Sequence, residues 1–174
     1  MTRILVLIDP QKGFEKPGTE AGIKKLIELL RYVEVRTDFG MLTCCFKNEP
    51  RSKFETYLDW RGFQDEDDTK LIGSLEPFLS KYPKFWHSTY NIFTQELCGH
   101  LKNQSTTDIY LAGFLTDVGI LKASLDAFDL GYNVKVIADC CATYHGNNNQ
   151  KYAIDTLKHA IGKNNVINLS DLIK

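Results

Sequence analysis

A chain of 174 residues, 43% hydrophobic and 25% charged, is long enough to bury the core of one domain and too ordinary in composition to be disordered or fibrous. A formal net charge of -1, with no basic cluster interleaved with aromatics, gives no pull toward nucleic acid or an anionic membrane. The first residues do not read as a secretory leader, and no stretch approaches the roughly 18 apolar residues that span a bilayer, so a soluble, cytoplasmic protein is expected.

Strand and helix patterns alternate along the chain. Residues 3–9 are a continuous apolar run closed by an acid, the pattern of a strand covered on both faces. Over residues 21–35 the apolar groups Ile23, Leu26, Leu29, Leu30 and Val33 form a helical stripe. Residues 41–46 predict a strand, and 47–70 a long loop with a short helix on the functional side. A helix is expected over 71–79, a short strand over 84–88, a helix over 92–101 and a strand over 108–113. Residues 116–130 predict a helix with Thr116 as its cap and Gly131 as its stop. A strand over 133–139, a helix over 148–161 and a last strand over 166–169 complete the set. Alternation of this kind implies a parallel sheet with right-handed crossovers, hence a single three-layer α/β/α domain over 1–174.

In such sheets ligands bind beyond the carboxyl ends of the strands. That rule singles out Asp9, residues 46–48, the segment after Ser88, residues 113–119 and residues 139–144. No glycine-rich phosphate loop follows the first strand, so no nucleotide cofactor is indicated. The histidines His87, His100, His145 and His159 show no ligand spacing, and no metal is expected; His87 is expected at the surface or in a cap. The five cysteines include two adjacent pairs, Cys44-Cys45 and Cys140-Cys141, which read as reduced thiols rather than a disulfide framework.

Three of the strand ends carry motifs. Asp9-Pro10-Gln11-Lys12-Gly13-Phe14 resembles the D-x-Q-x-x-F opening of the isochorismatase-like hydrolases, also called the cysteine hydrolase superfamily. Lys84-Phe85-Trp86-His87-Ser88-Thr89-Tyr90 is similar to that family's K-x-x-[YF]-S-x-F segment, and Ala112-Gly113-Phe114-Leu115-Thr116-Asp117-Val118-Gly119 to its A-G-x-x-T-D-x-C segment. The resemblance implies a six-stranded parallel sheet, Rossmann-like in build, and a triad of Asp, Lys and Cys. Here these positions are Asp9, Lys84 and, in place of the nucleophile, Gly119. It further implies a cis peptide at Phe114–Leu115, with the Leu115 and Gly119 amides aimed at one substrate oxygen, and a homo-oligomer. The stretch after the second strand has no His, so a nicotinamidase-type metal site is not implied. Without a thiol the expected chemistry is acid–base hydrolysis of the vinyl-ether type, with Asp9 as general acid and Lys84 ion-paired beside it. Phe14, Trp60, Tyr90, Phe114 and Leu115 are the expected walls around a small-molecule substrate, with no cofactor. The alternative is a catalytically silent member that binds a small carboxylate or serves an assembly.

Overall fold

The structure is a computed structural model that describes residues 2–174. The first strand, β1 (Thr2–Ile8), is followed by a 3-10 turn (Lys12–Phe14) and α1 (Glu20–Glu34), whose apolar stripe lies buried. Then come β2 (Phe39–Phe46), the short helices α2 (Lys53–Leu58), α3 (Glu66–Thr69) and α4 (Glu76–Leu79), and β3 (Lys84–His87). After α5 (Gln95–Asn103) and β4 (Thr106–Phe114) a π turn (Thr116–Ile120) leads into α6 (Leu121–Asp129). The chain closes with β5 (Asn133–Ala142), α7 (Asn147–Ala160), a 3-10 turn (Lys163–Asn165), β6 (Val166–Ile167) and α8 (Leu169–Ile173).

The six strands form one parallel sheet in the order β3-β2-β1-β4-β5-β6. The chain winds outward from β1 to β3, then returns to β4 and winds the other way. The order therefore reverses between β1 and β4, and beyond their carboxyl ends a crevice opens. Leu5, Val6, Leu7 and Ile8 are fully buried, as strands covered by helices on both faces require. Gly113 holds the two central strands together at this point. Its φ is +124°, and a Cβ there would lie 2.1 Å from the Ile8 carbonyl oxygen, so only glycine fits. The Phe114–Leu115 peptide is cis.

Two local expectations are corrected. Only the end of the 71–79 segment is helical: Leu71 bridges to Gln11, and Ile72 donates its N–H to the Pro10 carbonyl, so tertiary pairing takes the backbone that a longer helix would use. Thr116 does not cap a helix. The Val118 and Ile120 amides both donate to the Leu115 carbonyl, at 3.2 and 2.9 Å, and widen the first turn, while Thr116 Oγ1 is buried without a partner. All five cysteines are free; Cys44 and Cys45 on β2 and Cys140 and Cys141 on β5 are buried, and Cys98 on α5 is half-buried. Among the described residues no helix is long and apolar enough to cross a membrane.

Candidate active site

Asp9 is the first residue beyond β1. Its N–H donates to the Cys44 carbonyl (2.8 Å), which continues the β1–β2 pairing, and its φ of 51° then turns the chain sharply. His87 is the last residue of β3, in register with Phe46 at the end of β2. These two strand ends bring Asp9 Oδ1 and His87 Nε2 to 2.8 Å, with Asp9 5% and His87 7% exposed.

The other ring nitrogen decides how this contact is protonated. His87 Nδ1 lies 2.7 Å from the Thr89 carbonyl oxygen, which can only accept, so Nδ1 carries a hydrogen. The Nε2–Oδ1 contact then holds one further proton, either as imidazolium and carboxylate or as imidazole and carboxylic acid. Burial raises the Asp9 carboxyl above its ordinary range, with His87 and the Phe46 amide pulling against it. Burial alone would lower His87; the Asp9 charge, the hydrogen bond to it and the Thr89 carbonyl together outweigh burial and raise it. Both directions favour a pair that keeps its proton.

Lys84 is not part of this pair, contrary to expectation. It begins β3 opposite Thr43, is exposed, and sits 5.8 Å from the centroid of the Trp86 ring. Three strand residues separate it from the carboxyl edge, about 10 Å at 3.3 Å per residue. Alternation along β3 also turns Lys84 and Trp86 outward and Phe85 and His87 inward. The rule that sites lie at carboxyl ends, applied within the segment, selects His87.

Gln11 fastens the strand ends around the pair. Its side chain is fully buried and mimics a peptide group: Oε1 accepts from the Phe46 N–H (2.7 Å), and Nε2 donates to the Phe46 and Thr69 carbonyls (2.8 and 3.1 Å). The turn at the end of β1, the end of β2 and the end of α3 are thereby held as one unit.

Above Asp9 and His87 opens a cavity of about 290 Å³. Aromatic rings of Phe14, Phe46, Phe54, Trp60, Tyr90 and Tyr144 form most of its wall, and Leu115, Val118 and Gly119 of the π turn form another side. Of the expected wall residues Phe14, Trp60, Tyr90 and Leu115 line it. Phe114 does not; it is fully buried and stacks on Phe14 with centroids 6.5 Å apart, so it supports the wall from within. Gly119 is in close contact with the backbone. A Cβ there would stand 3.0 Å from the Phe114 carbonyl oxygen and 3.6 Å from Ile8 Cγ2.

The isochorismatase domain model matches residues 3–167. The chain belongs to the isochorismatase domain family. Isochorismatase family protein 2B of Dictyostelium discoideum is 30% identical over 157 residues, which is 82% of this chain and 63% of that protein, so the chain spans under two thirds of that relative's length. Among solved structures, an isochorismatase-like hydrolase from Alkaliphilus metalliredigens superposes with a TM-score of 0.88 at 17% identity, covering 99% of this chain and 98% of that one. Nicotinamidase from Bacillus subtilis gives 0.84 at 19% identity, covering 96% and 99%. Pyrazinamidase from Pyrococcus horikoshii, solved in complex with zinc, gives 0.76 at 14% identity over 97% and 99%. At these identities the likeness establishes the three-layer fold with its six-stranded parallel sheet.

For a metal of the kind held by that last structure, the stretch after β2 presents no free donor. Asn48, in the stretch after β2, is buried and spent on its own loop: Nδ2 donates to the Trp60 and Gly62 carbonyls (both 3.1 Å) and Oδ1 accepts from Ser52 Oγ (2.6 Å). Among the described residues no three His, Cys, Asp or Glu side chains are grouped to hold an ion.

Proposed function

We propose that this site hydrolyses a small, uncharged molecule with a flat apolar body by proton transfer from the Asp9–His87 pair, with no covalent intermediate. The observation that carries this reading is the Thr89 carbonyl on His87 Nδ1, which commits the pair to holding one proton at the floor of the cavity. A proton held in a dry, aromatic-walled site is what a general acid needs. Gly119, at the place where thiol-dependent relatives carry their nucleophile, offers no side chain to attack a carbonyl, so the reaction that fits is addition of water to a substrate activated by protonation. Vinyl ethers react in this way: protonation of the β-carbon creates an electrophile to which water adds.

The substrate class follows from the wall. Its lining holds no lysine or arginine among the described residues, and with Lys84 at the far end of β3 a dianion such as isochorismate is poorly matched. Aromatic faces instead suit a planar ring. The direct experiment follows release of 4-nitrophenol from 4-nitrophenyl vinyl ether. Wild type is expected to turn it over, and Asp9→Asn to lose at least about a hundredfold in kcat; equal turnover by the variant refutes the mechanism.

A catalytically silent binding protein is the second reading, favoured by the missing side chain at 119. Absence of turnover on vinyl ethers, esters and amides, together with saturable binding of a ring compound in the cavity, would select it. The exposed apolar side chains Leu125, Phe128 and Leu130 at α6 support a homo-oligomer, which sedimentation would test.

A further inference from the structure

A second carboxylate–imidazole pair lies on the same cavity. Asp117, in the π turn two residues before Gly119, places Oδ2 2.7 Å from His145 Nδ1. His145 lines the cavity that Asp9, His87 and Gly119 also line. Its position is fixed from several sides: its N–H donates to Thr143 Oγ1 (3.2 Å), its carbonyl accepts from Asn149 Nδ2 (3.0 Å), and its ring meets Tyr144 edge to face at 4.7 Å. A carboxylate only accepts, so Nδ1 is the protonated nitrogen and Nε2 of the neutral ring keeps its lone pair. Asp117 is largely buried in turn, its side chain 18% exposed, and its Oδ1 is buried without a partner. That oxygen has no competing donor to draw the carboxylate away from the imidazole.

The two pairs differ in what they can do. In the buried pair both His87 nitrogens are engaged and the shared proton is held for donation. In the outer pair His145 is 37% exposed on the cavity wall, within reach of solvent, and its Nε2 is left open by a carboxylate that fixes the tautomer. We propose that His145, oriented by Asp117, is the base that activates the attacking water.

This rests on the reading of Asp9–His87 as the acid. In the first step the Asp9–His87 pair gives its proton to the β-carbon of a vinyl ether, the C=C π bond becomes the new C–H bond, and positive charge develops at the α-carbon, stabilised by the ether oxygen. Water adds there through oxygen while one of its protons passes to His145 Nε2, giving a hemiacetal and an imidazolium. His145 then returns that proton to the leaving ether oxygen as its C–O bond breaks. The hemiacetal hydroxyl proton goes back to the Asp9–His87 pair. The sum is one vinyl ether and one water converted to one carbonyl compound and one alcohol, with both pairs restored. Asp117 is a positioning residue, since it acts through the ring.

The test uses 4-nitrophenyl vinyl ether with wild type, Asp9→Asn and His145→Ala, with and without added imidazole. The expected result is a fall in kcat of at least about a hundredfold in His145→Ala with KM within about twofold, and recovery of turnover when imidazole fills the vacated, solvent-accessible site. A fall that imidazole does not rescue, or one carried by KM alone, overturns the base role. If His145→Ala keeps wild-type kcat while Asp9→Asn is dead, this proposal falls and the reading of Asp9 stands. If wild type has no turnover, both fall.

Discussion

Replacing Asp9 by Asn should change the sign of the pH dependence of stability that the Asp9–His87 pair creates. With Nδ1–H committed to the Thr89 carbonyl, the folded pair holds one proton, and both groups are raised from ordinary values of 3.8 and 6.5. In the unfolded chain Asp9 is ionised above 3.8 and His87 is protonated below 6.5, so between the raised value of the folded Asp9 and 6.5 the folded and unfolded states hold the same proton. Above 6.5 the unfolded chain loses it while the folded pair keeps it. Extra protons on the folded side mean that stability falls as pH rises. The contribution is fully present below 6.5 and is lost as pH passes the raised value of His87. Within that window each pH unit removes up to about 1.4 kcal/mol. In Asp9→Asn the amide can donate to Nε2, no carboxylate opposes burial, and His87 should titrate below 6.5. Its contribution then rises with pH up to 6.5 and is flat above it. Urea unfolding of both proteins in half-unit steps from about pH 5 to 9, with the His87 ring proton followed by NMR, measures this directly. The difference between the two curves cancels every other titrating group. Parallel curves, with His87 of the wild type titrating at or below 6.5, would refute the shared-proton account.

Three further outcomes follow from packing. Gln11→Ala leaves the buried Phe46 carbonyl and the half-buried Thr69 carbonyl without their donor, and the Phe46 amide with Asp9 alone, which should cost about 2–4 kcal/mol in urea unfolding with an unchanged m-value; a loss under about 0.5 kcal/mol would show that the clamp is dispensable. Gly113→Ala sets a Cβ against the Ile8 carbonyl and should fail to give a cooperatively folded protein by circular dichroism; a wild-type melt would contradict the close approach of β1 and β4. Trp60 lines the cavity and Trp86 is 46% exposed, so a bound ring compound should change the emission of wild type and Trp86→Phe but not of Trp60→Phe. A response that survives in Trp60→Phe would place the ligand elsewhere.

Much of the fold is legible because central parallel strands carry their burial in the sequence: residues 4–8 are apolar without a break, and the stripe from Ile23 to Val33 has a single helical reading. What escaped was set by contacts remote along the chain. The motif drew attention to Lys84, but which end of a four-residue strand reaches the crevice depends on its register with β2, and that register places His87 beside Asp9, 78 residues away. Gln11 was visible as a motif letter, yet its partners are backbone atoms 35 and 58 residues on, which no local pattern encodes. His145 and Asp117 stand 28 residues apart and meet only because β4 and β5 end side by side. The sequence over the π turn reads as regular helix because Thr116 and Gly131 look like ordinary boundaries, while the decisive acceptor is the Leu115 carbonyl.

The sealed thiols give this sheet built-in reporters. Burial pushes the Cys45 and Cys141 thiols up to about 12 and raises Cys44 and Cys140 as well, so alkylating reagents, which need a thiolate as nucleophile, are excluded by both access and charge. Half-buried Cys98 stands outside that protection. Cys44 and Cys45 lie on one side of the β1–β4 centre and Cys140 and Cys141 on the other. The rate at which each pair becomes labelled is therefore a clock for the opening of its own half of the sheet. Mass spectrometry of the labelled peptides can tell, without any engineered probe, whether the half bearing the β2 wall of the cavity breathes before the half bearing β5.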